Sequence, residues 1–155
     1  MRIDAHQHFW QYKPGEYGWM GSNMDKLRRD HLPDYMVPLL SPASIDGVVA
    51  VEARQTLRET AWLLSLADRY SFIKGVVGWV DLCSARIRGQ LETYSTHTRL
   101  CGVRHVLHDE PDDYLMLREE FIRGIEMLTQ FDLAYDLVLF PQHLPIACEL
   151  VGHFT

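Results

Sequence analysis

A chain of 155 residues is long enough to bury one sizeable core, and 47% hydrophobic with 23% charged residues marks a folded domain rather than a disordered one. The formal charge of −6 and the pI near 5.7 leave no basic footprint, which excludes nucleic acid as a partner class. The three cysteines, Cys83, Cys101 and Cys148, lack metal-knuckle or redox spacing and read as reduced thiols. With neither a secretory h-region at the N-terminus nor an apolar run of membrane-spanning length, a soluble, cytoplasmic protein with no membrane partner is expected.

In chain order, residues 2–6 form a brief first strand. Residues 9–45 are rich in Trp, Tyr, Pro and Gly and read as a decorated loop with a short helix around 23–30. The apolar run 46–52 has the character of a parallel strand buried on both faces. Residues 56–70 are helical, with Thr56 as N-cap and Glu59 at capping-box spacing. Residues 73–80 form a third strand, and a helix over 84–96 opens at Ser84 and carries Ile87, Leu91 and Tyr94. A fourth strand over 100–106 is followed by a helix over 118–131 with Phe121, Ile122, Ile125, Leu128 and Phe131 on one side. Residues 133–140 form a fifth strand, and a helix over 144–154 carries Pro145 in its first turn.

Alternating strands and helices imply an α/β parallel sheet, either doubly wound or a (β/α)8 barrel. No G-x-G-x-x-G follows the first strand, which weakens the dinucleotide-binding version. Polar residues gather at strand C-terminal ends, where a barrel keeps its chemistry: His6 and His8, Glu52 to Gln55, Trp79 and Asp81, and Arg104 to His108. Five strands fall short of the eight, in about 250 residues, of a complete barrel. The expectation is a partial TIM barrel of about five βα units, with residues 1–155 as the N-terminal part of a single domain and the C-terminal strands missing.

Asp4-Ala5-His6-Gln7-His8 closes the first strand. Strand alternation puts His6 and His8 on one side, about 6.6–6.8 Å apart along the chain. Two imidazoles so placed can converge on a divalent cation, zinc or similar. The bland alternative has one histidine capping the strand and the other packing beside Phe9 and Trp10.

The run Ile3-Asp4-Ala5-His6-Gln7-His8-Phe9-Trp10 resembles the opening signature of the amidohydrolase superfamily, TIM-barrel metal-dependent hydrolases. The likeness is strongest to the amidohydrolase-2, sugar-lactonase branch, which includes fuconolactone and rhamnonolactone hydrolases. It continues through Tyr17-Gly18-Trp19, Arg29-Asp30, Val51-Glu52-Ala53-Arg54-Gln55, Gly75 to Leu82, Gly102-Val103-Arg104-His105, Asp109 to Asp113 and Leu144-Pro145. The resemblance implies a barrel-mouth site opened by His6 and His8 as metal ligands, completed by groups on later strands. It also implies hydrolysis of a small sugar-acid lactone by an activated water.

Further candidates surround that pair. Arg54 and Gln55 follow the second strand and are substrate-binding candidates, Arg54 through its planar donor fork. Trp79 is a candidate sugar-facing wall, and Asp81 shares its face. Of Arg104 and His105, the catalytic candidates, only one can face the barrel, and the position nearer the mouth favours His105. A buried Asp136 needs a partner such as Arg104 or Arg54. His143 is an extra candidate, while His31, His97 and His153 read as surface. Two rivals to lactone hydrolysis stand: an inactive fragment of such an enzyme, and a related non-oxidative decarboxylase. The chain alone is expected to be inactive and to self-associate through open sheet edges.

Overall fold

The five apolar runs pair into one parallel sheet in the computed structural model of the chain, which describes residues 1–154. The strands β1 (Ile3–Gln7), β2 (Gly47–Val51), β3 (Ile73–Gly78), β4 (Leu100–Val106) and β5 (Ala134–Val138) lie in the order 1-2-3-4-5, each neighbouring pair parallel. A doubly wound sheet reverses its order at a switch point, whereas a barrel advances strand by strand. The sheet is therefore a half-barrel, with β1 and β5 as its edges among the described residues.

Helices α2 (Leu57–Arg69), α3 (Ile87–Tyr94), α4 (Glu119–Thr129) and α5 (Leu144–Gly152) follow strands β2 to β5 in turn; α1 (Pro33–Leu40) precedes β2. That first helix lies inside the segment read from sequence as a loop. It has Pro33 in its first turn and Pro38 in its interior, and Pro33 is its one buried residue, so no apolar stripe announces it. Where a short helix was expected around 23–30 there is a 3-10 turn, Asp25–Leu27.

Two apolar clusters fasten the helices to the outer face of the sheet. Val48, Ala50, Ile73 and Val76 pack against Leu63, Leu64, Leu66 and Ala67 of α2. Val80, Leu82 and Val103 pack with Leu91, Phe121, Leu128 and Leu150 of the later helices. Each buried Leu or Val contributes roughly 1.5–3 kcal/mol relative to exposure. No helix among the described residues is long and apolar enough to cross a membrane.

Two polar devices fix the strand ends that carry the site. The Thr56 hydroxyl accepts the Glu59 N–H at 3.2 Å, capping α2. The Glu59 carboxylate does not return to close a capping box; fully buried, it accepts the N–H groups of Ala53 and Arg54 and clamps the loop after β2. The Thr60 hydroxyl likewise accepts the Trp79 N–H at 2.8 Å and donates to the Trp79 carbonyl at 2.7 Å, tying the end of β3 to α2. Gly78 makes room for this, since a Cβ there would lie 2.6 Å from Thr60 Cγ2.

Candidate active site at the mouth of the half-barrel

The register of β1 against β2 shifts between Asp4 and Gln7, and the irregularity brings both histidines to the strand end. Their Nε2 atoms lie 3.0 Å apart. His8 Nδ1 lies 2.9 Å from the Val51 carbonyl, an acceptor, so Nδ1 carries the proton and Nε2 presents a lone pair. Burial pushes the His8 pKa down to about 4, against the opposing bond to Val51. His6 is lowered too, by burial and then by the neighbouring Arg104.

Arg104 completes the cluster from β4. Its Nε donates to Glu52 Oε1 at 2.8 Å, its Nη2 to the Glu52 carbonyl, and its Nη1 lies 3.1 Å from His6 Nε2. Glu52 is 0% and Arg104 7% exposed. Glu52 Oε2 is buried and has no hydrogen-bond partner among the described residues. Burial raises the Glu52 pKa to about 7, with Arg104 pulling the other way.

Proton bookkeeping at His6 leaves one mismatch. If His6 Nε2 accepts from Arg104, its lone pair faces that of His8 across 3.0 Å; if it donates to His8, it faces the Arg104 donor. A cation between the two imidazoles would match both lone pairs, so the donor chemistry of His6 and His8 fits a metal. Two ligands are fewer than the three that a catalytic zinc takes from protein. Among the described residues no group of three or more His, Cys, Asp or Glu side chains could hold a metal ion.

The remaining candidates divide between the mouth and the helix layer. Arg54 is engaged by protein groups, with Nε on Glu59, Nη1 on Glu16 and its guanidinium 4.9 Å from the Tyr17 ring centre. Gln55 Oε1 accepts the Val106 N–H at 2.8 Å and pins β4 to the loop after β2. The inward reading of His105 is corrected. Strand alternation gives the inner position to Arg104, and His105 contacts Phe121 of α4, with ring centres 5.7 Å apart. Its Nδ1 accepts from Trp79 Nε1 at 3.3 Å and its Nε2 lies 2.7 Å from Glu110 Oε1. Trp79 is thereby held on the helix side with His105, away from His6 and His8. Asp81 Oδ1 accepts the Cys83 N–H at 3.1 Å as a turn residue, and neither Trp79 nor Asp81 is among the residues that line the two clefts at the mouth.

Asp136 faces Arg104 in the β4–β5 register yet is exposed and makes no ion pair with it, because β5 is an edge strand. His143 is buried, accepting the Phe140 N–H and reaching Asp113, and it holds a loop. His31, read as surface, is half-buried against Trp10, ring centres 4.7 Å apart.

Two adjoining clefts open at this mouth. One, of about 400 Å³, is lined by residues including His8, Arg104, His108, Asp109 and Trp19. The other, of about 450 Å³, is lined by residues including Arg54, Gln55, Arg58 and again Trp19. Sequence reasoning missed the parts played by Glu52 and Trp19. The signal for Glu52 is a carboxylate that closes an otherwise apolar strand run.

A sequentially wound parallel half-barrel whose polar cluster sits at the C-terminal strand ends defines a partial TIM barrel. The amidohydrolase family model matches residues 3–155, and the chain belongs to that family. An L-fucono-1,5-lactonase of Burkholderia multivorans is 40% identical over 146 residues, covering 94% of this chain and 49% of its own length. The namesake lactonase of Burkholderia ambifaria is 35% identical over 93% of this chain and 50% of its own length. A crystal structure of an amidohydrolase from Burkholderia multivorans with bound zinc superposes with a TM-score of 0.94 at 38% identity, over 99% of this chain and 54% of that one. The chain thus spans about half the length of the curated relatives it matches.

Proposed function

We propose that this chain supplies the first half of the active-site mouth of a barrel that hydrolyses a small sugar-acid lactone, the L-fucono-1,5-lactone class being the leading substrate. The observation that carries the reading is the convergence of His6, His8 and Arg104, two lone-pair nitrogens and one buried guanidinium, at the C-terminal strand ends. Lactone opening needs a stabiliser for the carbonyl oxygen as it gains charge and a group that takes a proton from the attacking water. Arg104, held rigid by Glu52, is suited to the first role. While no cation is bound, the neutral His8, with its Nε2 lone pair free, is suited to the second; that one lone pair cannot ligate a cation and take a proton at once. Gln55 and Trp19 line the space beside them for the rest of the ligand. His6 and His8 are the residues that would hold a divalent cation such as zinc, which when bound would polarise the carbonyl and acidify a water. A second reading, in which Arg104 alone polarises the carbonyl, is favoured by the position of its guanidinium 3.1 Å from His6 Nε2. Self-association of the isolated chain through its open sheet edges belongs to the same proposal.

The test joins residues 1–155 to the second half of the Burkholderia multivorans lactonase and follows acid release from L-fucono-1,5-lactone. Turnover is expected, and Arg104→Met should lower kcat by about 10²- to 10³-fold, as removal of an oxyanion donor does. A folded hybrid with no turnover, or one indifferent to Arg104→Met, overturns the reading. Addition of a chelator, then of zinc, separates the metal-assisted reading from the Arg104-only one.

A further inference from the structure

Of the four tryptophans, Trp19 is the one that lines both mouth clefts. Its indole N–H is already spent: Nε1 donates to the Ala53 carbonyl at 3.0 Å. Its ring stands edge-on to the buried Trp10, centroids 6.0 Å apart at 86°, yet the residue remains 42% exposed. A side chain anchored at its polar atom and braced on one flank has only its ring surface to offer a ligand. That surface belongs to the same cleft as His8 and Arg104. Trp79, the tryptophan expected to serve, is turned to the helix side by its bond to His105.

From this juxtaposition we infer that Trp19 is the stacking plate of the site and a specificity-determining residue, taking the C–H face of a saturated sugar ring while Arg104 and His8 address the ring's carbonyl end. The inference rests on the lactone reading above and deepens it. With its N–H committed, Trp19 cannot read hydroxyl stereochemistry by donating a hydrogen bond. It selects for a ring with an uninterrupted apolar face, and hydroxyl discrimination falls to neighbours such as Gln55 and Asp109. The loop that carries it is fixed on both flanks, since Tyr17 and Met20 are buried beside Trp10. The plate is therefore preformed, and little ordering is lost when a ring docks.

The experiment uses the 155-residue chain labelled with 5-fluorotryptophan and the hydrolysis-inert ring L-fucose as probe. Trp19→Phe assigns the Trp19 fluorine resonance. Addition of L-fucose should shift that resonance, leave that of Trp62 unmoved, and give a saturable curve. Trp19→Ala should weaken binding about five- to tenfold, the range of a single aromatic contact, while Trp19→Phe, which keeps a ring, should stay within about twofold of the parent. A Trp19 resonance that does not move at saturating sugar overturns the inference, and this readout on the parent chain needs only the conservative Trp19→Phe variant to fold, not Trp19→Ala. The hydrolysis test above is separate: turnover by the hybrid with an unmoved Trp19 signal sinks the plate and leaves the lactonase reading, and a shifted signal without turnover does the reverse.

Discussion

His8 and Glu52 show how burial without full compensation makes a residue responsive. Burial holds His8 neutral down to a pKa of about 4, so the folded chain binds fewer protons there than the unfolded chain, in which imidazole titrates near 6.5. The stability this gives is present above pH 6.5 and is lost as pH falls through about 4. Glu52 runs the other way. Its folded pKa of about 7 lies above the unfolded value near 4.5, so its contribution is present below pH 4.5 and is lost as pH rises through about 7. Between these limits the two slopes oppose one another, and wild-type stability changes little with pH on their account. Single variants expose them in metal-free buffer. The stability of wild type relative to His8→Gln should fall as pH is lowered from 6.5 to 4. Relative to Glu52→Gln it should fall as pH is raised from 4.5 to 7, each slope being at most about 1.4 kcal/mol per pH unit. Urea midpoints taken across that range check both signs, and parallel profiles for all three proteins would refute the assignment. Neither behaviour is legible in the sequence, where Glu52 is one carboxylate after four apolar residues. Its burial comes from the fold, and its partner Arg104 lies 52 positions away.

At the scale of elements, close approach decides more than propensity. Gly124 in α4 lies against the Leu82 carbonyl, where a Cβ would intrude on backbone, while Gly89 in α3 has nothing within 4 Å of the same position. Gly124→Ala should therefore cost about 1–3 kcal/mol, the range of overpacking. Gly89→Ala should gain roughly 0.5–1 kcal/mol from helix propensity. Denaturant midpoints of opposite sign are the expected result, and a neutral Gly124→Ala would show that α4 can shift. The sequence reveals neither glycine's surroundings, but it reveals the elements themselves well. All five strands and helices α2 to α5 announce themselves through apolar runs and helical stripes, most plainly where a face is buried, as in β2 and β3. The first helix escapes because its two prolines and mostly exposed surface leave no period to read. The choice between Arg104 and His105 escapes for a related reason. Alternation says the two diverge, and only the register with β5 and the packing of Phe121 against His105 say which goes where. The same packing carries Trp79 out of the mouth. Asp136 was expected to be buried and paired because its strand reads as apolar; at the sheet edge it stays in water instead.

For the whole molecule the decisive feature is that the sheet has two edges. A closed barrel has none, because every strand finds two neighbours; here β1 and β5 each offer an unpaired row of backbone donors and acceptors among the described residues. Apolar side chains gather beside both. Leu137 of β5 is 41% exposed, with Phe140 at 47% and Leu144 at 54% just beyond it. Near β1, the exposed Tyr35 and Leu39 share a cleft with Asp4 and Gln7. An exposed strand edge flanked by apolar surface pairs with another chain unless charge or a bulge blunts it. The β1 edge carries a register irregularity, whereas β5 runs in unbroken register with β4 from Ala134 to Val138, so β5 is the stickier of the two. The 155-residue chain should therefore show a mass above 18.0 kDa by light scattering, rising with concentration. Leu137→Lys together with Phe140→Glu should return it towards that mass, since an edge charge opposes pairing and neither side chain belongs to the buried apolar clusters. Blocking the β1 side instead, with Tyr35→Lys and Leu39→Lys, should have the smaller effect. A concentration-independent mass of 18.0 kDa for the parent chain, or equal rescue from both sides, would show that the edges do not govern its association.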